Sequence, residues 1–415
     1  MTDTQSGYQP LARRLTDGGH DLPAIERALA AFAVETPSWG YGDSGTRFGV
    51  FPQPGRPRDV FEKIADAAEV HRLTGSAPAV AMHFPWDAVD NLNELSEQLA
   101  ESGLRAGAVN PNLFQDPDYK LGSITNPDAG IRRKAVEHLL ECVQIAAELG
   151  STAQSLWLAD GTNYAGQDDL GARRDRLQEG LAAYYAALPS EQELLVEYKF
   201  FEPAFYATDI GDWGSALLLC QALGERARVL VDLGHHAQGV NVEQIVAILA
   251  REDRLGGFHF NNRKYADDDL IVGSVNPMEL FLIFAELGSG GQERAGGARL
   301  TIDQSHNIEA KLEAMVLSVV NLQESYAKSL LIDRPGLAQA QGDGDVLRGH
   351  ELMLDAFNTD VRPLCAKVRE ERGAAADPIG ELRASGYAER MARERGAESA
   401  PRQRATASAG LGVTE

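Results

Sequence analysis

From Ala79 onward, short runs of Val, Leu, Ile and small residues alternate with longer segments in which apolar positions recur every three to four residues. The short runs read as strands buried on both faces, and the longer segments as helices laying one face on a sheet. Strands are expected at Ala79–His83, Arg105–Val109, Ser155–Leu158, Leu194–Tyr198, Arg228–Asp232, Gly257–Phe260, Asp269–Val272 and Arg299–Asp303. About eight strands separated by helices predict an α/β fold, a (β/α)8 TIM barrel with additional N- and C-terminal helical extensions. An open doubly wound sheet shares the alternation, but the strand count favours closure.

Helix boundaries carry their own signals. Leu22 to Val34 is amphipathic, with Leu22, Ile25, Leu29 and Phe32 on one face, and Ser38 to Arg58 then reads as a loop rich in Gly, Pro and aromatic residues. Asp59 stands as an N-cap three residues before Glu62 at the start of a helix from Val60 to Leu73. Asn241 before Gln244, and Asn276 before Pro277, open two more helices. Asn307 precedes the stripe Ile308, Leu312, Met315, Val316 and Val319. The expected organisation is a helical segment and loop over 1–75, a barrel over 76–330 and a helical extension over 331–380. A flexible tail of small and polar residues is expected over 381–415.

Composition narrows the partners. The 415 residues are 44% hydrophobic and 24% charged, enough apolar material for a sizeable core. Lys and Arg number 39 against 61 Asp and Glu, a formal charge of −22 that repels nucleic-acid phosphates and anionic membranes. Neither is expected as a partner; cations and small neutral ligands suit the chain better. Three scattered cysteines, Cys142, Cys220 and Cys365, make neither a disulfide framework nor a thiolate metal site, so a reducing cytoplasm is expected. There is no apolar run of signal-peptide type, nor one of about 18 residues that would span a bilayer.

The informative pattern is where the ionisable side chains fall. Glu197 (VEYK), Asp232 and His235 (VDLGHH), His259 (FHFN) and Asp303 (TIDQS) all lie at C-terminal ends of expected strands, the active-site face of a barrel. One such Asp is often only a turn residue, and one such His often packs in a core. Several converging carboxylates repel one another unless a cation sits among them. After His259 comes Asp267-Asp268-Asp269, where an extended chain would turn Asp267 and Asp269 to one side and Asp268 to solvent. Oxygen and nitrogen donors without thiolates suit Mn²⁺, Mg²⁺ or Co²⁺.

The segments VEYKFFEP, VDLGHH, GFHFNNRKYADDD and LTIDQSHN, with MHFPWD around His83 and WLADGTN around Trp157, together resemble the bacterial L-rhamnose isomerase family. The likeness is to its pseudomonad-type branch of broad aldose–ketose specificity, and it runs from about Ser38 to about Leu330. It implies an intramolecular oxidoreductase interconverting L-rhamnose and L-rhamnulose, and other aldoses, by a bimetal-assisted hydrogen shift between C1 and C2. Two divalent ions per subunit are implied, Mn²⁺ first, with Co²⁺, Mg²⁺ or Zn²⁺ also compatible. By the same resemblance Glu197, Asp232, His259 and Asp303 hold a structural metal, while His235, Asp267 and Asp269 hold a catalytic one. Lys199 lies near the substrate oxygens and His83 serves ring opening, so catalysis is assigned to Lys199, His83, Asp269 and Asp303. Trp157, Phe114, Phe48 and His235 contact substrate, and the loop over 42–58 reaches a neighbouring subunit's site in a homotetramer. Alternatives on the same barrel are a sugar epimerase, a metal-dependent hydrolase or phosphodiesterase, and a non-catalytic sugar-binding barrel.

Overall fold

The computed structural model describes residues 4–43, 52–202, 206–289, 297–304 and 308–396. Eight parallel strands close a barrel: β1 (Glu35–Pro37), β2 (Ala79–Phe84), β3 (Arg105–Pro111), β4 (Ala153–Leu156), β5 (Glu193–Glu197), β6 (Ala227–Asp232), β7 (Leu255–Phe260) and β8 (Arg299–Ile302). Strands are hydrogen-bonded in sequence order, and β1 pairs with β8 to complete the ring. The helices that follow them are α3 (Val60–Thr74), α4 (Leu92–Glu101), α5 (Ala129–Glu148), α6 (Leu170–Ala187), α7 (Trp213–Leu223), α8 (Val242–Arg251), α9 (Pro277–Ser289) and α10 (Lys311–Leu330). Their apolar faces and the outward faces of the strands form one continuous core.

The local signals act as expected. Asp59 accepts from the Glu62 amide at 3.0 Å, Asn241 from Gln244 at 2.9 Å and Asn276 from Glu279 at 3.2 Å, each satisfying an amide that the first helical turn leaves unpaired. The two helices before the barrel, α1 (Thr4–Asp17) and α2 (Leu22–Ala31), pack Leu11, Leu15, Ile25 and Leu29 onto Leu364, Cys365 and Val368 of the C-terminal extension. That extension comprises α11 (Arg334–Asp343), α12 (Val346–Asn358), α13 (Arg362–Glu371), α14 (Pro378–Ala384) and α15 (Tyr387–Arg395).

Four expectations need correction. The eighth strand is Glu35–Pro37, in the segment expected to precede the barrel; α2 stops at Ala31 and the chain enters the sheet four residues later. Asp269–Val272 is no barrel strand: it lies in the loop after β7, tied down by a bridge between Asn262 and Leu270. The segment 381–415, expected to be a flexible tail, is helical as far as Arg395. Its anchor is a buried ion pair, in which the Arg395 guanidinium meets both oxygens of Asp66 on α3 at 2.9 Å and the Tyr387 hydroxyl adds a bond of 2.6 Å. Charge pairing across more than 300 residues adds to the few apolar contacts of this segment, Leu382, Tyr387 and Met391. Arg395→Met leaves the Asp66 carboxylate buried and unpaired, and is expected to cost about 3–5 kcal/mol, read as a lower urea midpoint. Asn307 lies outside the described residues; Ile308, expected on the buried stripe, is 89% exposed, and α10 begins at Lys311.

Candidate active site

Barrel closure brings four strand ends to one point. Glu197 ends β5, Asp232 ends β6, His259 is the penultimate residue of β7, and Asp303 follows β8. Register does the aligning: Asp232 pairs with His259, and His259 with Thr301. The His259 Nδ1 stands 3.3 Å from a Glu197 oxygen, 3.3 Å from Asp303 Oδ2 and 3.9 Å from Asp232 Oδ2. Donor atoms of these four residues all lie within 4.8 Å of one another.

A second set with the same spacing consists of Asp232, His235 and Asp267, so Asp232 belongs to both. The expected second set had Asp269 in place of Asp232. Among the described residues the mutually close donors do not include Asp269, because the segment is not extended there: Asp269 takes a left-handed φ of 48°. Its charge still faces Asp267, Asp303 and Asp232, and burial with those neighbours pushes its carboxyl well above the usual range. Asp268, expected to face solvent, is half-buried and ties its own loop, accepting from the amides of Lys264 and Tyr265. Gly234 permits the approach of Asp267, since a Cβ there would lie 2.5 Å from Asp267 Oδ1.

Hydrogen bonds orient the donors. His235 Nδ1 lies 3.0 Å from the Tyr198 carbonyl, which can only accept, so Nδ1 carries a hydrogen, and Nε2, facing Asp267, is the nitrogen that would be offered to a cation. His236 turns the other way, with Nε2 2.6 Å from the Tyr198 hydroxyl. Asp232 Oδ1 accepts from the Gly234 amide at 2.6 Å and from Asn261 at 3.0 Å. Its Oδ2 is buried and has no hydrogen-bond partner among the described residues.

Burial and the charges of Glu197, Asp267 and Asp303 push the Asp232 carboxyl up to about 7, against the pull of His235. His259 is raised well above an ordinary histidine because Glu197 and Asp303 outweigh the burial that works against its charge. Asp267 is held well below the usual range by His235 and Lys199 despite its burial. Such a site is over-supplied with negative charge. An orphaned carboxylate oxygen within an O/N donor set is the environment of a divalent cation, and these residues fit one. Protons compete for the same atoms, so Mn²⁺ affinity is expected to rise with pH through about 7, where Asp232 loses its proton, and to go on rising above it while His259, held above an ordinary histidine by Glu197 and Asp303, gives up its own. The slope below is roughly tenfold per pH unit for each proton displaced, measurable by calorimetry in buffers of different ionisation heat.

The other wall is aromatic. The His83 ring stacks on Trp86 at 3.9 Å, Phe114 meets His83 edge-on at 5.7 Å, and Phe114 lies 4.8 Å from Trp157. Lys199, only 1% exposed, bridges the two walls: its Nζ is 2.7 Å from Asp267 Oδ2 and 5.3 Å from the centre of the Trp157 ring. Burial pushes His83 down to about 3, so the ring is neutral near pH 7, and its Nδ1 has no partner among the described residues. Of the expected substrate contacts, Trp157, Phe114 and His235 are in the site, while Phe48 and most of its loop lie outside the described residues. Two aromatic members went unpredicted. Trp39 donates its indole N–H to Asp303 Oδ1 at 2.8 Å and faces His83 and His259, and Trp86 backs His83. The only sequence signal for Trp39 was the aromatic character of the segment that opens at Ser38.

Fold and donor sets together define a (β/α)8 barrel with a buried carboxylate–histidine centre at its C-terminal mouth. Among known families, the profile of the xylose isomerase-like TIM barrel matches residues 64–289, more than half of the chain, and the protein belongs to that family. A "probable sugar isomerase" of Rhizobium meliloti is 44% identical over 395 residues, covering 94% of this chain and 92% of that protein. Another so named, from Mesorhizobium japonicum, is 44% identical over 401 residues, covering 95% and 93%. Among solved structures, a D-allulose 3-epimerase from Methylomonas sp. superposes with a TM-score of 0.54 at 14% identity, over 71% of this chain and 98% of that one, a likeness of fold alone. Among the described residues, no helix is long and apolar enough to cross a membrane.

Proposed function

We propose that the protein is a dication-dependent aldose–ketose isomerase that interconverts L-rhamnose and L-rhamnulose and accepts other aldoses. The observation that carries this reading is the pair of donor sets sharing Asp232 beside a buried lysine. Relatives named as probable sugar isomerases, matched over nearly their whole length, support the reaction class. The resemblance of the strand-end segments to L-rhamnose isomerases supports the substrate and the preference for Mn²⁺, and with it a homotetramer.

The reaction moves the C2 hydrogen of the open-chain aldose to C1, while the proton of the C2 hydroxyl passes to the C1 oxygen, leaving a ketone at C2. Bound divalent ions would hold the sugar oxygens and offset negative charge developing on them. The protein's own groups do the rest. His83, neutral and stacked on Trp86, relays the anomeric hydroxyl proton to the ring oxygen as the bond between that oxygen and C1 breaks. Lys199, held by Asp267, presents N–H donors to the oxygen that gains charge in the transition state. Trp157 and Phe114 cover the apolar side of the sugar and exclude water.

A sugar epimerase would invert a ketose with two opposed acid–base carboxylates; here Glu197 is engaged with His259 in the donor set. The test is an aldose panel with EDTA-treated protein reconstituted with Mn²⁺, following ketose formation, with D-fructose and L-ribulose as epimerase arms. Turnover of L-rhamnose that vanishes on chelation is expected. Full turnover by metal-free protein, or epimerisation without ketose formation from any aldose, would overturn the reading.

A further inference from the structure

Two residues that face the donor sets, Trp39 and His83, leave the barrel at the ends of the neighbouring strands β1 and β2. A single buried carboxylate behind the site ties both segments together. Asp87 is fully buried, and its Oδ2 accepts from the His83 amide at 2.7 Å and from the Ser38 hydroxyl. Its Oδ1 is 2.7 Å from Nζ of Lys63, a buried lysine on α3. Ser38 immediately precedes Trp39, whose indole N–H occupies Asp303 Oδ1 and leaves Oδ2 facing His259.

We infer that Lys63 and Asp87 are a positioning pair for the metal centre: they set, through Ser38–Trp39, which oxygen of Asp303 is offered to a cation, and through the His83 amide, where the His83 ring stands. Neither residue touches the donor sets, and the sequence reading assigned neither a role. A buried lysine facing a buried aspartate costs desolvation on both sides. Two aromatic groups held to a fixed geometry are what the pair supplies in return. Outer-layer partners of metal ligands act in this way, fixing which atom of the ligand faces the ion.

This inference rests on the dication reading of the site but not on the sugar chemistry, so its primary readout is Mn²⁺ affinity, titrated on the full chain. Trp39→Phe is expected to weaken Mn²⁺ binding about tenfold, and Asp87→Asn by about 10- to 100-fold. Ser38→Ala should weaken binding less than Trp39→Phe, and the double variant Ser38→Ala/Trp39→Phe should bind no more weakly than Trp39→Phe alone, because the serine acts through the tryptophan. Asp66→Asn is the control: it disturbs a buried carboxylate on the same helix α3, whose partners are Arg395 and Tyr387, and should leave Mn²⁺ affinity unchanged. Wild-type affinity in folded Asp87→Asn and Ser38→Ala, additive losses in the double variant, or an equal loss in Asp66→Asn would each overturn the inference. If Asp87→Asn does not fold, the Ser38–Trp39 cycle decides. A wild type that binds Mn²⁺ but forms no ketose sinks the isomerase reading and leaves this one to the affinity cycle; a wild type that binds no dication overturns this one.

Discussion

Asp232→Asn is expected to remove dication binding from both donor sets and to lower kcat/KM on the best aldose well beyond a hundredfold. Asp232 is the one residue common to the two sets, so a single substitution strips a ligand from each. Changes one layer further out already cost about 10–100-fold, and loss of a shared ligand must exceed that. The fold should survive. The asparagine oxygen can still accept from Gly234 and Asn261, and one negative charge leaves a site where burial and three other acids push its pKa up to about 7. The metal-free variant is therefore expected to melt no lower than metal-free wild type, while Mn²⁺ no longer raises its melting temperature. His235→Asn makes the contrast: it belongs only to the second set, so the variant should lose activity yet still bind one equivalent of Mn²⁺. Calorimetric stoichiometry separates the two, and an Asp232→Asn protein that keeps both sites and its turnover would refute the shared-ligand geometry.

Lys199→Gln is expected to lower kcat by about 10²–10³-fold with a much smaller change in KM, the signature of a group that acts on charge present only in the transition state. The ammonium is 1% exposed, 2.7 Å from Asp267 Oδ2 and over the Trp157 face, so water cannot replace it. Its removal also tells lysine chemistry from metal loss. Lys199 competes with a cation for Asp267, so the variant should bind Mn²⁺ at least as tightly as wild type while turning over far more slowly. Lower Mn²⁺ affinity in Lys199→Gln would assign the lysine to holding Asp267 in place instead.

Much of this site could be read from residue types at strand ends. Glu197, Asp232, His235, His259 and Asp303 stand at or just past the ends of short apolar runs, and the register of β5 to β8 brings those ends together, while Asp267 joins them from the loop after β7. Asp269 is buried beside Asp267, Asp303 and Asp232 but lies outside the mutually close donors, and its backbone is left-handed where D-x-D spacing on an extended chain is the simpler expectation. β1 was missed for a different reason. Glu35–Pro37 is three residues long, too short to show a period, and is a strand only because β8 and β2 lie on either side of it. The C-terminal helices to Arg395 are hard to read from the sequence because the last of them docks through a buried ion pair to Asp66 together with only two core contacts, Tyr387 and Met391.

The sequence by itself determined the alternation of strand and helix, the caps that start the helices, and the supply of carboxylates and imidazoles at one end of the barrel. Those properties are local, set by side-chain period and by hydrogen bonds spanning two to four residues. Tertiary structure alone decided that Asp232 is shared, that Trp39 reaches Asp303 across 264 residues, and that Lys63 and Asp87 stand behind both Trp39 and His83. Each depends on distances between segments remote in the chain. Closure of the ring through β1 and β8, rather than any pattern along the sequence, sets those distances.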